Sequence, residues 1–305
     1  MLTDQQLEVR LNHITGSDVA TILGISPYKT PVELWQEKLR LTKQEDLSNK
    51  KHIIRGNYLE RAVADWWADA EEKEVEIEPN FITHKDLPYL GGNIDRRVKS
   101  EHAILECKTS RRMDGWDEDN NVVPLYYLTQ LAFYVAIDDA ERGYMAAYIG
   151  ETEDFLRFTY ERNQNLEDKL LSRVKHFWNE HVLKEVPPEP TSLKDVISLY
   201  GPSSEQNIIQ TPQDDSGLLE GEVQKLSEIK KEISSLKKEE ERIKDMIAVH
   251  MGKNDTLVDS VGEIIATWKS TKPFYRLDQK KLKEEKPDLY QQYAKEVCQR
   301  VMRVK

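Results

Sequence analysis

The sequence predicts a mixed α/β fold, a central sheet flanked by helices, followed by a linker and a smaller α+β extension. Two observations carry that expectation. Helical periodicity over the first 70 residues gives way to short strand-like runs between 75 and 110, then helix, two strands and helix again. The stretch 201–217, GPSSEQNIIQTPQDDSG, breaks every pattern and reads as a linker between a core (1–200) and an extension (218–305). With 305 residues, one large domain or two smaller ones can each bury a real core.

Composition excludes several classes. Charged residues make up 32% and hydrophobic ones 38%, and no run approaches the roughly 18 apolar residues of a membrane span. The N-terminus, MLTDQQLEVR, has no signal-peptide core, and two cysteines (Cys107 and Cys298) are too few for a disulfide framework, so a reducing cytoplasm is expected. They are also too few for a four-cysteine zinc or iron–sulfur site. A net charge of −11 argues against indiscriminate nucleic-acid binding but allows an acidic exterior around a basic channel.

The elements follow in order. Residues 3–9 suggest a short helix ending near Arg10. Thr15 or Ser17 can cap a second helix carrying Val19, Ile22 and Leu23, stopped by Gly24. Such a hydroxyl is either a plain cap or, with the backbone N–H groups of a helix start, a phosphate grip. Pro31 opens a third helix. In a long helix over 51–70, Leu59, Val63, Trp66 and Ala70 are expected to face the core, with Glu60 at the border of that stripe. Residues 75–78 and 81–84 read as strands. Pro124 precedes a helix to Ala136, with Tyr127, Leu131, Tyr134 and Val135 on its apolar side and Gln130 among them. Strands are expected at 144–149 and 155–160, and a helix from 166 to 186 before Pro187-Pro188. Beyond the linker, Leu226, Ile229, Ile233, Leu236, Ile243 and Ile247 alternate spacings of three and four, broken by Glu240; a short coiled coil, helical hairpin or docking helix fits equally. Strands are expected at 257–258 and 264–268, a helix capped by Asp278, and a final strand at 301–304. The basic residues of this tail are offset by acidic ones and read as a solvated face before DNA contact.

Chemistry concentrates where two apolar runs, 91–98 and 104–110, flank the polar turn Lys99-Ser100-Glu101-His102 and read as a hairpin. Side chains two apart in a strand share a face, so Glu106 and Lys108 point together while Cys107 points away. If Asp95 faces them across the ladder, two carboxylates and an amine meet at one point. Phosphodiester cleavage needs an activated water, charge neutralisation and help for the leaving oxygen, which carboxylate-held Mg²⁺ (or Mn²⁺) supplies. Asp95 and Glu106 suit such an ion, with the Cys107 backbone carbonyl as a further oxygen and Glu60 as a ligand or a partner through a metal-bound water. Lys108, pushed towards neutrality by cations and burial, would orient or deprotonate the water. A surface ion pair between Glu106 and Lys108 is the competing reading.

Four blocks, Gly56-Asn57-Tyr58-Leu59-Glu60, Gly91-Gly92-Asn93-Ile94-Asp95, Leu105-Glu106-Cys107-Lys108 and Tyr127-Leu128-Thr129-Gln130-Leu131, occur in the order found in YqaJ-type phage recombinase nucleases. The chain resembles that family over residues 10–180, and through it lambda exonuclease and the restriction-endonuclease-like PD-(D/E)xK superfamily. Ile265-Ala266-Thr267-Trp268-Lys269 and Arg300 to Lys305 resemble the family's C-terminal extension. Ile94 stands where the superfamily motif has proline, which ligates nothing. The resemblance implies metal ligation by Asp95 and Glu106, water activation by Lys108, an accessory acid at Glu60 and a site-organising amide at Gln130. It places 5′-phosphate recognition at Arg10, Ser17 and Lys51.

The function so implied is a Mg²⁺-dependent 5′→3′ double-strand DNA exonuclease of phage or prophage recombination. It would expose 3′ overhangs for a single-strand annealing protein and work as a ring-shaped homotrimer in the bacterial cytoplasm. A structure- or site-specific endonuclease of the same fold, and a catalytically inactive DNA-end-binding protein, are the alternatives; the intact Glu60, Asp95, Glu106 and Lys108 set weighs against the latter.

Overall fold

The computed structural model describes residues 4–42, 49–201, 216–295 and 301–304. The chain divides into two compact units, residues 1–201 and 202–305.

The first unit opens with four helices, α1 (Asp4–Leu11), α2 (Gly16–Ile22), α3 (Pro31–Lys38) and α4 (Lys51–Glu71). Thr15 caps α2, its N–H and Oγ1 both donating to Asp18 Oδ2 at 3.0 and 3.1 Å. Thr30 caps α3 by accepting from the Glu33 N–H, and Pro31 takes the first helical position as expected. Strands follow: β1 (Val75–Glu76), β2 (Ile82–Thr83), β3 (Gly91–Gly92), β4 (Arg96–Val98) and β5 (Ala103–Ser110). Helix α5 (Leu125–Asp138) then carries the chain across to β6 (Arg142–Ile149), which turns back into β7 (Asp154–Glu161). The main sheet has the order β1-β4-β5-β6-β7. Its central pair, β5 and β6, is parallel and the other neighbours are antiparallel. A helical crossover is what a parallel pair requires.

Cores lie on both faces of the sheet. On one, α5 is buried along most of its length with Val19, Leu34, Ile104 and Met145. On the other, α4 lays Val63, Ala64 and Trp67 on Leu105, Cys107, Tyr144 and Ala146. Strand β5 therefore alternates, with Leu105 and Cys107 turned to α4 and Ile104 to the α5 side. The expected α4 stripe needs correction: Trp66 is 49% exposed and Ala70 is exposed, and the buried arc runs through Val63, Ala64 and Trp67. Trp67 fills the core while Trp66 stacks on Phe155 at the sheet edge, 4.3 Å between rings. That rotation turns Glu60 inward.

The first run of the expected hairpin is not one strand. Gly91–Gly92 pairs with β2 in a separate two-stranded sheet, and only Arg96–Val98 pairs with β5, so Asn93, Ile94 and Asp95 form a bend between them. After β7, α6 (Gln164–His176) runs into a π-helical turn, Phe177–Val182. A further helix, α7 (Leu193–Tyr200), was not expected; Ser192 caps it by accepting from the Asp195 N–H, and Asp195 Oδ1 accepts from Thr30 Oγ1 at 2.6 Å.

In the second unit α8 (Ser216–Met251) is one continuous helix rather than a hairpin. Its stripe of Ile229, Ile233, Leu236 and Ile243 is exposed. Strands β8 (Thr256–Val258) and β9 (Ile264–Thr267) pair antiparallel around Gly262, whose φ of +89° suits a residue without Cβ. Asp278 caps α9 (Gln279–Glu285) as expected, and α10 (Pro287–Tyr293) follows. Residues 301–304 form no strand and pair with no sheet among the described residues, despite their alternating pattern. Residues 202–215 of the expected linker lie outside the described residues, and Ser216 and Gly217 already belong to α8. No helix among the described residues is long and apolar enough to cross a membrane.

Candidate active site

Strand β5 and helix α5 bring three of the expected residues together. Glu106, only 3% exposed, accepts at Oε1 from Lys108 Nζ at 2.6 Å and from Gln130 Nε2 at 2.5 Å. Lys108 also donates to Gln130 Oε1 at 3.2 Å, closing a triangle of amine, amide and carboxylate. Gln130 thus satisfies both ends of its amide, which a half-buried side chain at this position needs. Tyr127, one turn earlier on α5, lies under the ammonium with its ring centre 4.9 Å away.

Asp95 joins from the bend. Its Oδ2 accepts the Cys107 N–H at 2.8 Å, so the side chain takes the place that a continued β4 would have filled. In a strand, N–H and C=O of one residue point to the same side. The Cys107 carbonyl therefore points to the edge where Asp95 sits. Burial raises the Asp95 carboxyl well above its ordinary range, and the Glu106 carboxylate beside it adds to the rise. Burial pulls the Lys108 ammonium down, but Glu106 and Asp95 outweigh it and the net direction is up. Without a cation beside them, the lysine is the charge that balances the two carboxylates.

The donor set suits a hard divalent cation. Glu106 Oε2 is buried and has no hydrogen-bond partner, and Asp95 is a carboxylate held where its charge is costly. Two carboxylates and a carbonyl match what Mg²⁺ or Mn²⁺ takes from a protein, water completing the shell. Glu60 stands further out: its Oε1 accepts from Arg96 NH1 at 2.8 Å, and the same nitrogen donates to the Asp95 carbonyl at 2.6 Å. Among the described residues no three His, Cys, Asp or Glu side chains close on one point. Arg96, buried and unforeseen in the sequence, links Glu60 to the Asp95 bend.

Arg10 and Ser17 also meet, with NH2 of the arginine 2.9 Å from the serine Oγ. Buried Lys38 holds this elbow, donating to the Arg10 and His13 carbonyls at 2.8 and 2.6 Å and to Asp18 Oδ2 at 2.8 Å. Two glycines seat the elbow and the Asp95 bend against α5. A Cβ on Gly16 would fall 2.6 Å from the Tyr134 ring and 2.9 Å from Gln130, and one on Gly92 would fall 2.5 Å from Tyr134. Tyr134 is thus the wall against which Gly16, beside Ser17, and Gly92, before the Asp95 bend, both lie. Lys51 is exposed at the start of α4, and no hydrogen bond or ion pair among the described residues ties it to Arg10 or Ser17.

Fold and centre together define a mixed α/β protein, a five-stranded sheet flanked by helices, with two carboxylates and one lysine brought together where β5 faces the Asp95 bend. Residues 5–141, which span every site residue named above, match the family described as the YqaJ-like viral recombinase domain. The chain is 28% identical over 301 residues to the uncharacterized protein YqaJ of Bacillus subtilis (strain 168), covering 97% of this chain and 92% of that one. The structure is similar to that of LHK-Exo, an alkaline exonuclease from Laribacter hongkongensis, with a TM-score of 0.51 at 18% identity. The dAMP complex of LHK-Exo gives 0.50 at 19%, and both cover 60% of this chain and 94% of theirs. At those identities the likeness establishes a shared fold. The resemblance read from the four sequence blocks is borne out.

Proposed function

We propose that this chain is a metal-dependent 5′→3′ exonuclease of double-stranded DNA, serving phage or prophage recombination in the bacterial cytoplasm. The observation that carries the reading is adjacency: Gly16, beside Ser17 of the Arg10–Ser17 pair, and Gly92, leading into the Asp95 bend, both lie against Tyr134, and the charges of Arg10, Asp95 and Glu106 all act on that tyrosine. A guanidinium beside a helix start is an anion grip. A grip so near the centre favours a terminal phosphate, and hence an exonuclease over an endonuclease.

In this reading Asp95, Glu106 and the Cys107 carbonyl hold Mg²⁺ or Mn²⁺, and Glu60, through Arg96, keeps the Asp95 bend in place. The ion supplies charge neutralisation at the phosphate and an acidified water. Lys108, held by Gln130 and Tyr127, would orient the attacking water and serve as the group to which its proton passes. Arg10 and Ser17 fix the 5′-phosphate so that the adjacent phosphodiester lies at Lys108, with Lys51 available to the backbone further along. A homotrimeric ring would reconcile a chain charge of −11 with DNA threading, since only the channel need be positive. The 3′ overhang produced would pass to a single-strand annealing protein.

The test uses linear duplex with and without 5′-phosphates, and closed circular DNA, in Mg²⁺ and in EDTA. Mononucleotide release from phosphorylated linear ends, lost in Arg10→Ala without loss of metal binding, is the expected result. Nicking of closed circles would replace the exonuclease by an endonuclease, and no metal-dependent cleavage of any substrate would refute both.

A further inference from the structure

A run of three tyrosines leads from Lys108 to the surface, and the cleavage described above uses only the first. Tyr127, under the Lys108 ammonium, is 4.3 Å ring to ring from Tyr126 and tilted by 54°. Tyr126 meets Tyr28 edge-on at 6.1 Å and 86°. Tyr28 belongs to the turn after α2, where its N–H donates to Ser26 Oγ at 3.2 Å, and it is 76% exposed. Its ring touches Tyr126 in this T-shaped pair and otherwise lies mostly in solvent.

The chemistry of this surface is specific. Burial first, and then the neighbouring tyrosines, raise the hydroxyls of Tyr126 and Tyr127, the latter to about 12, so the rings stay uncharged at any physiological pH. An uncharged ring is no phosphate grip, and Arg10 already offers one. Nor does Tyr28 serve the core, since most of it lies in water. What an open aromatic face next to a phosphodiester-cleaving centre fits is a flat, π-faced group with polar edges, which is a nucleobase. Inside a duplex both faces of a base are covered by the neighbouring base pairs, and at a paired end only the outer face of the last pair is open, whereas an unpaired base offers either face to a side chain.

We propose that Tyr28, braced by Tyr126, is a stacking platform for one unpaired nucleobase of the strand whose phosphate lies at Lys108. This rests on the reading of the centre as a DNA-cleaving one, and it adds that the substrate end is held frayed rather than paired. Tyr127 belongs to the support of Lys108. Tyr28 and Tyr126 select the strand conformation.

The test is equilibrium binding of the full-length chain, in EDTA, to a 5′-phosphorylated duplex with a short single-stranded 5′ end. A single abasic nucleotide is placed in turn at each of the first positions, and binding is followed by fluorescence anisotropy. At one position the abasic change should weaken binding by about five- to 150-fold, the range to which a base–aromatic stack of about 1–3 kcal/mol converts. Tyr28→Ala should weaken binding of the intact strand by a similar factor and be indifferent to the abasic change, while Tyr28→Trp should restore base dependence. No position with a base dependence above about twofold, or an undiminished Tyr28→Ala loss on the abasic strand, would overturn the platform. Mg²⁺-dependent cleavage, measured in parallel, separates the two ideas. A chain that cleaves without base dependence keeps the nuclease and loses the platform, and one that binds no DNA at all loses both.

Discussion

Replacing Lys38 by methionine tests how the elbow that carries Arg10 and Ser17 is built. The ammonium, with the lysine only 7% exposed, makes an ion pair with Asp18 at 2.8 Å and donates to the carbonyls of Arg10 and His13. Methionine keeps the apolar stem but leaves Asp18 as a buried carboxylate without its partner. Removing one member of a buried pair costs about 3–5 kcal/mol. For a unit of this size that is a fall of roughly 6–20 °C in Tm. Urea unfolding at pH 7 gives the loss directly. Adding Asp18→Asn should return part of it, because the second change removes the stranded charge, with a coupling of about 0.5–3 kcal/mol. The pH dependence has a definite sign. Burial raises the Asp18 carboxyl, but Lys38 and Arg10 beside it outweigh that and hold it below the usual range. A carboxyl lowered on folding contributes stability above its unfolded pKa of about 3.9, and loses that contribution as pH falls through the folded value. The gap between wild type and Lys38→Met should therefore narrow on acidification. Burial also outweighs Asp18 in lowering the Lys38 ammonium, so on the alkaline side the pair gains nothing from holding its proton. A loss below about 1 kcal/mol, or a gap that widens in acid, would refute the reasoning. Preference for 5′-phosphate should weaken as well, since the Arg10 carbonyl loses its anchor.

Asp95→Asn should raise the Tm of the metal-free chain while abolishing cleavage. A carboxyl whose pKa is raised on folding binds protons more tightly when folded, so its ionised form costs stability as pH rises above the unfolded value, and a neutral amide removes that cost. Melts in EDTA at pH 5 and pH 8 check this: the stabilisation should be larger at pH 8, and equal or smaller stabilisation there contradicts it. Gly92→Ala should cost about 1–3 kcal/mol and depress cleavage together, because the added Cβ would lie 2.5 Å from buried Tyr134 and the bend carrying Asp95 must give way. Retained cleavage at wild-type stability would show that the close approach does not position the site.

Much of this was legible in the sequence because it follows from period and spacing. Glu106 and Lys108 share a face by strand geometry alone, and Gln130 had to find a polar partner because it sits among apolar helix residues. The parts that escaped depend on contacts distant in the chain. Trp66 and Trp67 offer two helical stripes of nearly equal hydrophobicity, and only packing on Tyr144 and Leu105 selects Trp67, which also decides where Glu60 points. The break between Gly92 and Arg96 is set by Tyr134, more than 35 residues away, and by a side chain replacing a ladder bond. Nothing local reveals the partner of Arg96, because Glu60 lies 36 residues before it in the chain. Helix α7 did leave a local signal, the Ser192-x-x-Asp195 capping box, next to a proline-rich run that masks it. The pattern at 301–304 shows the converse, since alternation alone, without a strand to pair with, makes no strand.

The most direct test of the central claim is cleavage of one linear duplex labelled separately at its two ends. With Mg²⁺ and a 5′-phosphorylated end, the account predicts that a 5′ label leaves at once as a mononucleotide. A 3′ label should stay on a lengthening single strand, and Lys108→Ala should stop both changes. Early release of the 3′ label, internal cuts that leave the 5′ label on an oligonucleotide, or full activity of Lys108→Ala would contradict it.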